Sequence, residues 1–287
     1  MTQTSAHQRR ELMGDFSLEI SGKDLHLLKE AQSAIPPGTK INITYLGNED
    51  MEMRVAAAQA AKELGFIPVP HIAARRLDSR AQLEDFLARL QAINASEHVF
   101  VVAGDPTTPA GPYASAADIL STGVLPAYGV REVSIAGYPD GHPGMSSTEL
   151  WKHLEEKASS IREQGLNAVV LTQFSFDTDL VMAWIKGARA RGIDAEIRIG
   201  TPGPAGIKRL IGFASRFGVG TSASIVKKYG FSLTNLLGTA GPGRFIGELS
   251  DMLHADPSGA VKLHFYTFGG LNATAQWACS YIEENAA

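Results

Sequence analysis

A chain of 287 residues, 44% hydrophobic and 20% charged, can bury one large core or two small ones and is too apolar for disorder. A net charge of −4 offers no bulk field for nucleic acid or an anionic membrane, and no run approaches the ~18 apolar residues that a bilayer-spanning helix needs. The single cysteine, Cys279, excludes an intrachain disulfide and a multi-cysteine metal cage and fits a reducing, cytoplasmic compartment; the polar opening MTQTSAHQRR shows no secretory signal.

In chain order, residues 1–14 read as a flexible N-terminal arm and residues 15–287 as one domain. The first β-rich run, Phe16-Ser-Leu-Glu-Ile20, is entered from Gly14-Asp15. Lys40-Ile-Asn-Ile-Thr-Tyr45 follows the breaker Pro36-Pro37-Gly38. A helix is predicted over Asp50–Leu64, with apolar positions three and four apart and Gly65 as its stop. Phe66-Ile-Pro-Val-Pro-His71 is a weaker strand, because Pro68 and Pro70 cannot donate to a central ladder. Ser79–Ile93 carries Leu83, Phe86, Leu87 and Leu90 on one helical stripe, and His98–Ala103 is a strand closed by Gly104-Asp105-Pro106. Glu132–Gly137 precedes a helix opened by Ser146-Ser147-Thr148-Glu149 and stopped at Gly165. Asn167–Gln173 leads into a helix over Asp177–Arg191 that groups Leu180, Val181, Trp184 and Ile185. Asp194–Ile199 and Val261–Thr267 complete the strands, and the long stretch Phe213–His254 holds two or three helices.

Strands alternating with helices in this way predict a parallel sheet built from βαβ units. Eight units match an α/β fold of the (β/α)8 TIM-barrel type, a single domain with extra helices before the last strand. Active sites of that fold gather at the C-terminal strand ends, so Glu19, Thr44, Tyr45, His71, Asp105, Tyr138, Gln173 and His264–Thr267 become candidates from seven strands. Each has a plainer reading. Glu19 suits an ion pair, Asp105 a turn before proline, His71 a satisfied core histidine, Gln173 a strand cap and His142 a loop. No His-x-His or His-x-x-x-His pair supplies metal ligands, so zinc would need His71, Asp105 and His142 from separate strands, and no metal is expected. The Gly-rich runs 200–204 and 238–244 match neither a Walker loop nor a dinucleotide fingerprint.

Seven segments carry a further signal together. They are Ile43-Thr44-Tyr45, Pro70-His71, Gly104-Asp105-Pro106, Tyr138-Pro139 with His142-Pro143, Leu171-Thr172-Gln173-Phe174 with Phe176-Asp177, Gly192-Ile193-Asp194 with Glu196-Ile197, and His264-Phe265-Tyr266-Thr267. In this order, from about residue 16 to residue 284, they resemble the methylenetetrahydrofolate reductase family. The resemblance implies a flavin-dependent oxidoreductase interconverting 5,10-methylenetetrahydrofolate and 5-methyltetrahydrofolate, in one-carbon metabolism that serves methionine biosynthesis. It implies FAD as cofactor, NAD(P)H as electron donor and tetrahydrofolate as substrate, with no nucleic-acid or membrane partner and a homo-oligomer left open.

By the same resemblance Glu19 is the general acid toward N10 of the folate, Asp105 lies beside flavin and pterin, and Gln173 bonds the pterin. Thr44, His71, Tyr138 and His142 line the flavin, Phe213 stacks on nucleotide or folate rings, and Arg162 meets the flavin pyrophosphate. The chain also departs from the family. Ile20-Ser21-Gly22-Lys23 replaces a Phe-Phe-Pro run, and Ala103 stands where an arginine often precedes Gly-Asp. Ala158-Ser-Ser-Ile-Arg-Glu163 keeps one cation where the family has a basic pair, with Ser159, Ser160 or backbone amides as substitutes. The segment after Thr267 lacks the family's arginine. Two alternatives stay open: a flavin-free or 5-methyltetrahydrofolate-oxidising variant, and a non-catalytic folate-binding barrel.

Overall fold

The computed structural model describes residues 9–219 and 239–285. Eight parallel strands close into a barrel in chain order: β1 (Ser17–Ile20), β2 (Lys40–Ile43), β3 (Ile67–Ala73), β4 (His98–Val102), β5 (Glu132–Gly137), β6 (Asn167–Thr172), β7 (Glu196–Pro202) and β8 (Val261–Tyr266). Closure is made where Ser17 and Leu18 of β1 pair with His264 and Phe265 of β8. Around the outside run α1 (Leu25–Glu30), α2 (Met51–Glu63), α3 (Arg80–Ala92), α4 (Ala116–Ser121), α5 (Ser147–Glu163), α6 (Thr178–Ala190), α7 (Ile207–Phe217), α8 (Gly243–Ala255) and α9 (Leu271–Glu284). The expected (β/α)8 barrel is the observed fold.

Local sequence explains most of these elements. Asp50, Ser79 and Asp177 accept backbone N–H groups at the starts of α2, α3 and α6, and Ser146 with Glu149 forms a reciprocal capping box on α5. The buried stripe of α3 is Leu83, Phe86, Leu87 and Leu90. Strand residues alternate between a shell packed under the helices and the barrel lumen. Leu18, Ile41, Val99, Ile135, Val170, Ile197 and Leu263 belong to the shell and are fully buried. The lumen is apolar at mid-height, around Val69, Phe100 and Leu171. Its lower end is charged: Lys40 Nζ and His98 Nδ1 meet Glu132 Oε1 at 2.7 and 3.1 Å, and Arg198 bonds Glu196 and Asp15.

Three expectations change. β3 is a full seven-residue strand between two neighbours, despite Pro68 and Pro70. Ile67 N–H donates to Thr39 on the β2 side, so by alternation both prolines face β4, and the β3–β4 ladder starts only at His71. The N-terminal arm is not loose over its whole expected length. Residues 9–13 are helical and Leu12 and Met13 are buried in the core; residues 1–8 lie outside the described residues. Lys262 Nζ donates to Glu11 O at 2.7 Å, tying this turn to β8 at the N-terminal face. Leu180 leaves its expected stripe: it is 46% exposed and lines an open cleft instead of the core. Within Phe213–His254, α8 and the end of α7 are described, and residues 220–238 lie outside.

Candidate active site

The lumen phase of each strand carries its last residues into the barrel mouth. Glu19 leaves β1 pointing inward, with its carboxylate one-fifth exposed. Burial, with a smaller push from the charge of Asp24, raises its pKa to about 8. Its Oε2 lies 4.0 Å from His264 Nε2. His264 is 1% exposed, its Nδ1 sits 2.9 Å from the buried Ser17 hydroxyl, and burial, with smaller contributions from His71 and the Arg198 charge, holds its pKa well down. The neighbouring Tyr266 packs edge-on against His264 and donates its hydroxyl to Thr172 O at 3.1 Å. Burial, then Glu19 and Tyr138, push the Tyr266 phenol well up. Glu19, His264 and Tyr266 form one continuous group, neutral at neutral pH.

His71 enters from β3. Burial and the nearby Arg54 guanidinium lower its pKa to about 3, so it is a neutral imidazole. Its ring packs edge-on against Phe100, while its Nε2 is buried without a hydrogen-bond partner, as is Oδ1 of Asn42 on β2. Orphaned polar atoms in a mouth that ends in acids and amides are places where a polar ligand completes the bonding. Gln173, just past β6, accepts Phe174 N–H through Oε1, which turns its amino group outward as a donor. Thr44 continues the β1–β2 ladder, its hydroxyl on Ile20 O at 3.2 Å. Tyr138 is half-buried and burial raises its phenol; His142 is exposed on the next loop, edge-on to Tyr138, with Nδ1 accepting Gly144 N–H.

Asp105 stands on the loop after β4, 69% exposed, with Oδ1 2.5 Å from Arg76 Nη2. Arg76 had no signal in the sequence. Phe213 of α7 is half-buried and stacks on Phe268, centroids 3.8 Å apart and planes 10° from parallel. Among the described residues, no three His, Cys, Asp or Glu side chains group as metal ligands, and no helix is long and apolar enough to cross a membrane.

Arg162 is the correction. It sits in the last turn of α5, three residues before the Gly165 turn into β6, and is exposed. A helix that follows β5 and precedes β6 runs away from the C-terminal rim, so its end lies at the opposite face, about the length of a strand from the mouth. Ser159 and Ser160 are nearby on that helix and bond Glu163 and Gln164. Lys157 lies five residues, about 7.5 Å, nearer the rim. Burial lowers its pKa to about 8.

A second cleft of about 650 Å³ opens outside the mouth between Tyr138–Met145, Trp151, Leu180 and Trp184. Trp151 and Trp184 stack at 5.4 Å and form its floor. Arg54 and Arg76 also lie over one ring, Tyr45, at 3.6 and 5.2 Å.

The sequence profile of the family described as methylenetetrahydrofolate reductase matches residues 26–229. Among solved structures, the chain is similar to an uncharacterized protein from Clostridium thermocellum that binds two copies of 5-methyl-5,6,7,8-tetrahydrofolic acid. That similarity has a TM-score of 0.57 and 9% identity and covers 96% of this chain and 97% of the other. It is also similar to dihydropteroate synthase from Thermus thermophilus, at a TM-score of 0.49 and 15% identity over 94% of each chain. The matched segment takes in the strand ends from Thr44 to Gln173 together with the loops that carry Asp105 and His142, and the chain belongs to the methylenetetrahydrofolate reductase family.

Proposed function

We propose that this protein is an oxidoreductase that interconverts 5,10-methylenetetrahydrofolate and 5-methyltetrahydrofolate, with NAD(P)H as the electron donor. One observation carries the reading: a carboxyl group with its pKa raised to about 8 at the end of β1, protonated at neutral pH and facing the mouth. Opening the five-membered ring of the methylene substrate needs a proton on N10, and a group titrating near working pH is suited to give it. Glu19 would hand its proton to N10 as the N10–methylene bond breaks, leaving an N5 iminium whose carbon takes a hydride and becomes the methyl group. Neutral His264 and the un-ionised Tyr266 phenol put no positive charge beside Glu19, so neither draws its proton away. Gln173 and Asp105 would orient the pterin, and Phe213 its aromatic linker.

The mouth fits the ring end of a flavin better than its phosphate end. Thr44, His71, Tyr138 and His142 would hold the ring system, and the unpartnered His71 Nε2 is an observation in its favour. When bound, a flavin supplies a hydride carrier between nicotinamide and folate. For the pyrophosphate, Arg162 is at the wrong face, Arg75 is spent on the Ala114 and Pro106 carbonyls, and Arg76 is on Asp105. That shortage among the described residues favours a second reading, the same reaction with hydride passed from NAD(P)H to folate directly. The Clostridium thermocellum barrel, which binds 5-methyltetrahydrofolic acid, supports folate as the ligand of this fold.

An anaerobic assay with methylene- and methyl-tetrahydrofolate, both nicotinamides, and FAD added or omitted tests both readings. Turnover only with FAD supports the flavin route, and turnover without it the direct one. Folate binding with no turnover under any donor would overturn the enzyme assignment in favour of a binding barrel.

A further inference from the structure

The turns that follow β3 and β4 are fastened to each other. Arg75 N–H donates to Ala103 O at 2.9 Å, and Arg75 Nη1 reaches Pro106 O at 3.2 Å. Gly104, at φ 88°, lies so close to Ala73 that a Cβ there would stand 3.1 Å from the alanine's own. This seam sets Arg76 directly across from Asp105, with Nη2 and Oδ1 2.5 Å apart.

The two partners are unequally held. The Arg76 side chain is 16% exposed and the Asp105 side chain 69%. The guanidinium lies over the Tyr45 ring and against Gly47, where a Cβ would come within 3.0 Å of Nη2. Its Nε is buried and makes no hydrogen bond. Asp105, by contrast, sits on an open loop. The arginine is therefore the fixed member and the carboxylate the one that is aimed. An ion pair this exposed contributes little to folding, so orientation is what it can supply.

We propose that Arg76 is a positioning residue for Asp105, holding the carboxylate in the direction in which it meets bound folate. The proposal rests on the folate reading above. A guanidinium packed over Tyr45 and against Gly47 aims its Nη2 donor in one direction, which a lysine's flexible, freely rotating ammonium does not, so Arg76→Lys restores charge without restoring direction.

The test is calorimetric titration of 5-methyltetrahydrofolate into the wild-type protein, Arg76→Gln, Arg76→Lys, Asp105→Asn and the Arg76→Gln/Asp105→Asn double variant. Both Gln and Asn variants are expected to bind on the order of tenfold more weakly, and the double variant no more weakly than Asp105→Asn, because nothing remains to be positioned. Arg76→Lys should recover only part of the loss, and thermal midpoints should stay near that of the wild type. Unchanged affinity in Arg76→Gln, full recovery in Arg76→Lys, or losses that add in the double variant would each overturn the positioning role. Absence of folate binding by the wild type overturns the folate reading and the proposal with it, whereas wild-type binding indifferent to Arg76 overturns the proposal alone.

Discussion

Glu19 combines two energetic roles with opposite demands. As the proposed proton donor it would need a raised pKa, and burial supplies that at the expense of stability once the group ionises. A folded-state pKa of about 8 against an ordinary 4.5 means the group's stabilising contribution is complete below pH 4.5 and is lost as pH rises through 8. Glu19→Gln should therefore match the wild type in denaturant stability at pH 4.5 and exceed it at pH 8.5, by up to a few kcal/mol at ~1.4 per pK unit. The same variant should keep folate affinity but lose folate turnover by about a hundredfold or more, in line with general acid catalysis. In the wild type, kcat/KM for methylenetetrahydrofolate reduction should fall as pH rises above 8. A profile flat to pH 10 would remove Glu19 from the acid role. Glu19 itself was legible, because strand-end position and residue type nominate it. His264 as its neighbour follows from the β1–β8 pairing across the closed barrel, far away in sequence.

Among the elements, β5 and α6 show how tightly the rim is packed. At Gly137, the last residue of β5, a Cβ would lie 2.8 Å from two atoms of the Trp184 ring and 3.0 Å from Val170 Cγ1. Trp184 cannot retreat easily, since Trp151 stacks on it and Arg191 lies over Trp151 in turn. Gly137→Ala should cost about 1–3 kcal/mol in urea unfolding, the range for overpacking. An unperturbed midpoint would mean the indole pair shifts freely. The caps of α2, α3, α5 and α6 were readable because each is a contact within three residues. The standing of β3 was not, since the cost of Pro68 and Pro70 depends on which neighbour each missing N–H would have faced.

Across the whole molecule, the two ends of the barrel are electrically different. Glu19, His71 and His264 in the mouth are neutral, whereas the lower lumen holds the Lys40–Glu132 ion pair, with His98 hydrogen-bonded to the same carboxylate. Burial alone would raise Glu132, yet hydrogen bonds from His98 and Lys40 and the lysine's charge bring it down to about 2. A carboxylate lowered in the fold stabilises above its ordinary 4.5 and loses that contribution as pH falls toward 2. Glu132→Gln should flatten the acid limb of the stability profile between pH 4.5 and 2, as followed by circular dichroism; an unchanged limb would show the network to be neutral in its effect. The same end-to-end geometry bears on the proposed flavin. Protein purified without added FAD should carry less than one flavin per chain, and Arg162→Ala should leave that content unchanged. A loss of flavin in Arg162→Ala, measured near 450 nm, would place the phosphate at the C-terminal end of α5, on the barrel face opposite the mouth.

The sequence by itself determined the strand–helix alternation, the barrel count, the helix caps and the family, because periodicity, capping and short motifs are local properties written within a few residues. It also nominated Glu19, His71, Asp105 and Gln173 through their places at strand ends. Only the tertiary structure decided that Arg162 belongs to the far face, that Arg76 rather than a residue beside Asp105 supplies its counter-charge, and that His264 stands under Glu19. Those facts depend on which way each helix runs once the sheet has closed and on which strand ends then become neighbours. Barrel closure joins residues hundreds of positions apart, and no local pattern encodes that juxtaposition.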